Sequence, residues 1–251
     1  MSAGEDGSLP LADRRAILRG AGGLFATLLA PGVTLYAFGT QARASEGPVS
    51  SKVRWALLID VGKCPPGCDL CVAACRDENG LRGSDRPEAD SQWIRKVSLR
   101  DARTGEVREV PVLCQHCEKP ACVDVCPTGA SFKRADGIVL VDKHVCIGCR
   151  FCMMACPYKA RSFVHQPLTD QKSWSPRGKG TAEACTFCVH RVDSGRLPAC
   201  VETCAAKGGG AMVFGDLNDP NSDVAKAVAS HASSQIRSDL GLQPAVRYRN
   251  L

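Results

Sequence analysis

The chain has 251 residues, 44% of them hydrophobic and only 5% aromatic, with sixteen cysteines and a formal net charge of +6. This length allows one or two domains with a sizeable core. The basic balance invites a nucleic-acid reading, but no basic run interleaved with aromatics occurs, and that class is set aside.

Residues 1–44 show the three parts of a targeting segment. A polar start ends in Asp13-Arg14-Arg15-Ala16-Ile17-Leu18-Arg19, a mostly apolar stretch runs over 20–39, and Ala42-Arg43-Ala44 offers an A-x-A cleavage site. The paired arginines resemble a twin-arginine export signal. The apolar stretch is long enough to span a bilayer, so a retained anchor stays open beside cleavage. Residues 45–251 then form the mature domain, in which no apolar run is long enough to cross a membrane. Free thiols in an oxidising compartment would pair as disulfides, whereas thiols occupied by metal before export are protected.

Residues 53–60 read as a short buried strand. The first cysteine group, Cys64, Cys68, Cys71 and Cys75, is expected on a loop entering a short helix, with Leu70, Val72, Ala73 and Ala74 packed between the cysteines. Residues 76–92 read as loop. Residues 93–99 and 106–113 flank a turn and predict a hairpin. The second group, Cys114, Cys117, Cys122 and Cys126, follows at once, and Asp136-Gly137 predicts a second hairpin. The third group is Cys146, Cys149, Cys152 and Cys156. Residues 165–184 read as an ordered surface insertion that covers a metal site. The fourth group is Cys185, Cys188, Cys200 and Cys204. Gly208, Gly209 and Gly210 permit close backbone passage into a strand over 211–214. Asn218 or Asp219 is expected to cap a helix starting at Pro220, with Val224, Val228 and Ala229 on one side. Residues 241–251 show little pattern and are expected to lie across the surface or a partner.

The third group reads C-x2-C-x2-C-x3-C-P, the bacterial ferredoxin run for a [4Fe-4S] cluster. Three cysteines wrap a cubane, and the fourth, on a helix, points to a companion cluster. The second group differs by a longer middle gap. The first and fourth lack the terminal proline and, taken alone, also fit zinc. Four oxidised clusters with their thiolates would take the formal charge from +6 to about −2, which explains the basic surplus. Groups alternating with hairpins predict an α+β fold of tandem ferredoxin-like units with β-hairpin insertions, stabilised by four [4Fe-4S] clusters.

The strings Cys114-Gln115-His116-Cys117, Cys146-Ile147-Gly148-Cys149-Arg150-Phe151-Cys152, Cys185-Thr186-Phe187-Cys188-Val189-His190-Arg191 and Phe214-Gly215-Asp216-Leu217 resemble the four-cluster ferredoxin subunits of bacterial respiratory complexes. The resemblance implies that outer groups pair and inner groups pair. One cluster would use Cys64, Cys68, Cys71 and Cys204, and a second Cys185, Cys188, Cys200 and Cys75. The inner clusters would use Cys114, Cys117, Cys122 with Cys156, and Cys146, Cys149, Cys152 with Cys126. The leader, Cys64-Pro65-Pro66-Gly67-Cys68 and Lys207-Gly208-Gly209-Gly210 look most like the exported subunit of the sulfite-reductase-associated electron-transfer complex. That likeness implies a periplasmic subunit held at the membrane by a polysulfide-reductase-type quinone-interacting subunit. A multihaem cytochrome c and a cytoplasmic iron–sulfur arm complete the implied partners. Two alternatives are a subunit serving a periplasmic molybdoenzyme or hydrogenase, and a zinc-stabilised structural protein.

No nucleophile–base constellation stands out, so electron transfer rather than catalysis is expected. Arg76, His144 and Arg150 are candidates for raising a cluster potential, and Gly67 and Gly148 for bringing amides near sulfur. His116 reads as a packed or surface imidazole, and His190-Arg191 as a structural or partner-facing pair. Met153-Met154 reads as packing beside a cluster.

Overall fold

The structure, a computed structural model, describes residues 49–81, 83, 89–169 and 171–251; the leader expected at 1–44 lies outside them. The first half contains β1 (Trp55–Asp60), α1 (Leu70–Asn79), β2 (Ile94–Arg100), β3 (Val107–Leu113), α2 (Ala121–Asp124), β4 (Ser131–Lys133) and β5 (Val139–Val141). The second contains α3 (Phe151–Ala155), β6 (Ser162–Phe163), β7 (Ala182–Glu183), α4 (Val189–Val192), α5 (Ala199–Lys207), β8 (Met212–Asp216), α6 (Asp223–Ser230) and β9 (Val246–Arg249). This is an α+β arrangement of small sheets flanking short helices. Among the described residues no helix is long and apolar enough to cross a membrane.

Strand β1 is buried from Ala56 to Asp60 because it is the centre of a three-stranded sheet. β8 pairs with it antiparallel, Leu57 opposite Phe214, and β9 pairs parallel, Leu57 opposite Val246. A strand covered on both faces carries a continuous apolar run. Leu57 and Ile59 enter the main core with most of the buried cysteines. Ala56 and Leu58 face a smaller cluster with Val224 of α6 and Ala245.

Both predicted hairpins are present, as β2–β3 and β4–β5. Asp136 and Gly137 form the second turn, with Gly137 at φ +86°. An added Cβ there would also strike the guanidinium of Arg54, which donates from Nη1 to the Gly137 carbonyl.

Five local expectations need correction. The helix of the first group runs on to Asn79, and its buried face is Cys71, Cys75 and Asn79, with Ala73 exposed. The last helix begins at Asp223 and is capped by Ser222, whose Oγ accepts from Ala225 N–H at 3.2 Å, so neither Asn218 nor Asp219 caps it. Its inner side is Val224 with Ala227 and Val228, while Ala229 is exposed. The insertion is surface only in part. Its end forms β7 against β6, and Arg177 is buried against Glu183, Nη2 to Oε1 at 2.8 Å, while donating to the Gly80 carbonyl. The tail is core: β9 completes the central sheet, and Tyr248 is 0% exposed. Its hydroxyl donates to the Pro111 carbonyl at 3.1 Å and accepts from Gln115 Nε2.

The Tyr248→Ala variant is expected to lose about 3–5 kcal/mol through the cavity it leaves. Tyr248→Phe keeps the packing and should lose only about 1–3 kcal/mol through the hydroxyl's lost bonds to the Gln115 amide and the Pro111 carbonyl. Anaerobic thermal unfolding should therefore rank wild type above Phe above Ala; equal midpoints for the three would show that β9 does not hold the sheet together.

Glu183 is wholly buried. Burial alone would raise its carboxyl, but the Arg177 guanidinium holds it below its ordinary range. Arg177→Met strands that carboxylate and should cost about 3–5 kcal/mol, most of it regained in the double variant with Glu183→Met. Thermal midpoints at neutral pH measure both.

Candidate metal centres

Four helices of the cysteine regions are associated with two cysteines four residues apart, and where both lie within the helix, in α1 and α5, that spacing puts them on one face. α1 carries Cys71 and Cys75, α5 carries Cys200 and Cys204, and the two helices pack together. α2 carries Cys122, with Cys126 just beyond its end. α3 carries Cys152, with Cys156 just beyond, and this pair also packs together. Each pair of helices therefore offers two cysteines at one end of the contact and two at the other.

The charges that the thiols feel from one another group them. Cys71 is pushed up to about 11, first by burial and then by Cys64, Cys204 and Cys68. Cys185 is pushed well up by burial and then by Cys75, Cys200 and Cys188. Burial, then Cys122 and Cys156, push Cys117 up to about 12. Cys152 is raised by burial and by Cys146, Cys126 and Cys149. These neighbour effects, with that of Cys122 and Cys156 on Cys114, sort the sixteen cysteines into four candidate sets, each joining three of one sequence group with one of another.

The sets also have an order. Cys71 neighbours Cys75 across the first two sets, and Cys122 neighbours Cys152 across the inner two. Between the second and third sets, the His116 ring stacks on Phe187 with centroids 3.7 Å apart. His116 lies between Cys114 and Cys117, and Phe187 between Cys185 and Cys188. Taken in that order, the candidate sets run from Cys64, Cys68, Cys71 and Cys204 to Cys126, Cys146, Cys149 and Cys152.

The residues present fit an iron–sulfur cubane. Among the described residues no group of three or more His, Cys, Asp or Glu side chains is close enough to hold one metal ion. All four cysteines of the second set line one enclosed apolar cavity together with Trp93 and Asn79. The buried Trp93 indole N–H has no partner among the described residues. Asn79 Nδ2 donates to the Cys75 carbonyl and lies 3.7 Å from Cys75 Sγ and 4.0 Å from Cys188 Sγ. Donors waiting beside thiols suit a group rich in sulfur acceptors.

His116 is packed rather than exposed, at 0% exposure. Its Nδ1 accepts from Val139 N–H at 3.0 Å, and burial, then Arg54 and Arg161, hold it neutral. His190 and Arg191 are structural: Glu78 pairs with His190 at 2.7 Å and with Arg191 at 3.0 Å, and Glu202 also pairs with Arg191. Met154 does not pack beside a thiol set, being 77% exposed.

The three candidate tuning residues stand as follows. Arg150 is exposed with its guanidinium over the Phe163 ring, Arg76 donates to the Leu81 carbonyl, and His144 is exposed. Gly148 is required by packing as well as by its φ of +72°, since an added Cβ would meet the Gly180 carbonyl at 2.3 Å. The insertion thus closes over the third group's loop. Sequence reasoning missed Arg161, buried at 7% exposure with Nη2 only 3.0 Å from Cys122 Sγ.

Comparison with known proteins adds the chemistry. Residues 106–217 match the 4Fe-4S dicluster domain. The chain is similar to the Hdr-like menaquinol oxidoreductase iron-sulfur subunit 1 of Archaeoglobus fulgidus, at 42% identity over 84% of this chain and 89% of that one. It is also similar to a tetrathionate reductase subunit of Salmonella typhimurium, at 40% identity over 80% and 74% of the two chains. Protein NrfC of Escherichia coli is 39% identical over 76% and 78%.

Crosswise sharing is testable by substitution. Cys71→Ser and Cys204→Ser, from different sequence groups, should perturb the same paramagnetic signal of the reduced protein. Cys75→Ser and Cys200→Ser should perturb a second one. Perturbation of one signal by Cys71→Ser and Cys75→Ser together would favour groups that each hold their own metal.

Proposed function

The chain belongs to the family of non-catalytic iron–sulfur electron-transfer subunits of respiratory oxidoreductases, and from that membership we propose that it conducts electrons along four [4Fe-4S] clusters. The crosswise cysteine sets on paired helices carry this reading. The proposed ligands are Cys64, Cys68, Cys71 and Cys204; Cys75, Cys185, Cys188 and Cys200; Cys114, Cys117, Cys122 and Cys156; and Cys126, Cys146, Cys149 and Cys152. When bound, each cluster supplies a one-electron site. The protein's part is to space the sites, exclude water and set the charge around them. The helix pair is used twice, which supports two ferredoxin-like units in tandem.

The two ends of the row are where partners must approach. Cys149 is the exposed cysteine of the sixteen. Near it in the sequence, Val145, Ile147, Phe151 and Met154 are exposed at 45%, 66%, 55% and 77%. Exposed apolar groups clustered in this way suit a protein interface. We assign this end to a redox partner that brings its own centre near Cys149.

The relatives named as subunits of tetrathionate, dimethyl sulfoxide, selenate and arsenate reductases favour service to the catalytic chain of an anaerobic reductase of the molybdoenzyme kind. They support that alternative better than the sulfite-reductase-linked assignment expected from the sequence. The sulfur-linked reading keeps one support, the Archaeoglobus relative named as an Hdr-like menaquinol oxidoreductase subunit. Both readings place a quinone-interacting membrane subunit on one side of the row, with a cytochrome as a further partner in the second. The paired arginines at 14–15 support export by the twin-arginine route and a periplasmic site at the membrane.

Anaerobically purified protein should contain four iron and four acid-labile sulfide per cysteine set, with broad visible absorption bleached by dithionite. A colourless sample holding zinc and no sulfide would overturn the reading in favour of a structural protein.

A further inference from the structure

The side chain of Arg161 is buried between the two inner cysteine sets. Its Nη2 lies 3.0 Å from Cys122 Sγ in the third set, and its Nη1 donates to Ser131 Oγ at 2.7 Å. The backbone N–H of Ser131 in turn donates to Cys126 Sγ at 3.3 Å in the fourth set. Cys114 and Cys152, one from each set, are the other thiols whose charge it feels. One guanidinium therefore touches a thiol of one set and, through a serine, reaches a thiol of the next.

What makes this placement informative is the missing counter-ion. Among the described residues no carboxylate pairs with Arg161, whereas the comparably buried Arg177 has Glu183 and Arg191 has Glu78 and Glu202. Among the described residues its buried Nε has no partner either. A guanidinium cannot shed its proton to escape burial, and a buried unpaired charge is strongly unfavourable. Its nearest anions are the thiolates themselves. Hydrogen bonds to sulfur and net local charge are two of the levers that set an iron–sulfur potential.

We propose that Arg161 is a positioning residue that holds a fixed positive charge between the inner clusters and raises the potential of both. Reduction adds one electron to a site, supplied by a reduced partner, and forms or breaks no bond. Arg161 favours that more negative state. It acts on both inner sites at once, directly through Cys122 and through Ser131 toward Cys126, so the middle of the row is held level for electron passage. The outer sets lie beyond its contacts. This inference rests on the four-cluster reading.

The test is a potentiometric titration of the full chain, anaerobic, followed by electron paramagnetic resonance, on wild type, Arg161→Gln and Arg161→Lys. Gln removes the charge and keeps a donor, whereas Lys keeps the charge. Arg161→Gln should shift the reduction equilibrium of the inner clusters at least tenfold toward the oxidised form, 59 mV for one electron. Arg161→Lys should recover most of that shift, and the outer clusters should not move. Assembly of inner clusters in Lys but not Gln would also support a required charge. Unmoved inner potentials in a loaded Gln variant would overturn the proposal. So would a Lys variant displaced as far as Gln, or failure of both to assemble, since each marks a merely structural guanidinium. Absence of inner-cluster signals from wild type itself would instead refute the four-cluster reading.

Discussion

Buried thiols resist ionisation, and everything in this structure is arranged around that resistance. Ten of the sixteen cysteines are buried. Burial and mutual repulsion push Cys71 to about 11 and Cys114 to about 12, Arg161 opposing the rise at Cys114. Metal ligation needs those groups as thiolates, so the positive metal core must provide the compensation that water would otherwise give. The elements that present the cysteines are too short to stand alone: α2 has four residues and α3 five. Helices of that length do not persist in water, and tertiary ties must hold them. Cluster binding and folding are on this account one event.

How far the sequence reveals this depends on whether a signal is local. The cysteine spacings are local, and so are the Asp136-Gly137 turn and the apolar run in β1; each is legible. The crosswise sharing is not local. Cys71 and Cys204 stand far apart in the chain, and in the sequence only resemblance points to their meeting; the packing of α1 on α5 brings it about. The tail misleads because its partner, β1, lies nearly the whole domain away. Yet Val246-Arg247-Tyr248-Arg249 alternates apolar and basic residues, the pattern of a strand with one face buried. Ser222-Asp223 likewise carries an N-cap signal that competes with Asn218 and Asp219. Arg161 has no such signal. An arginine five residues past a ligand group looks like any other, and its significance comes from burial without a carboxylate.

Charge and packing divide the row between them. Along its length the neighbours of the thiols are packed side chains: Asn79 beside the second set, and the His116–Phe187 stack between the second and third. His116 is held neutral, so it separates those two sets without adding charge. Arg161 does the opposite between the third and fourth. At the far end the cover opens at Cys149, amid exposed apolar side chains. Insulation in the interior and an exposed end at Cys149 suit a conductor that passes electrons to a partner protein.

The most direct measurement is anomalous scattering at the iron edge from anaerobically grown crystals. The account predicts four iron centres in a row, each bound by three cysteines of one sequence group and one of another, with Arg161 between the third and fourth. Iron centres each bound by a single group's four cysteines, or fewer centres than sets, would contradict it.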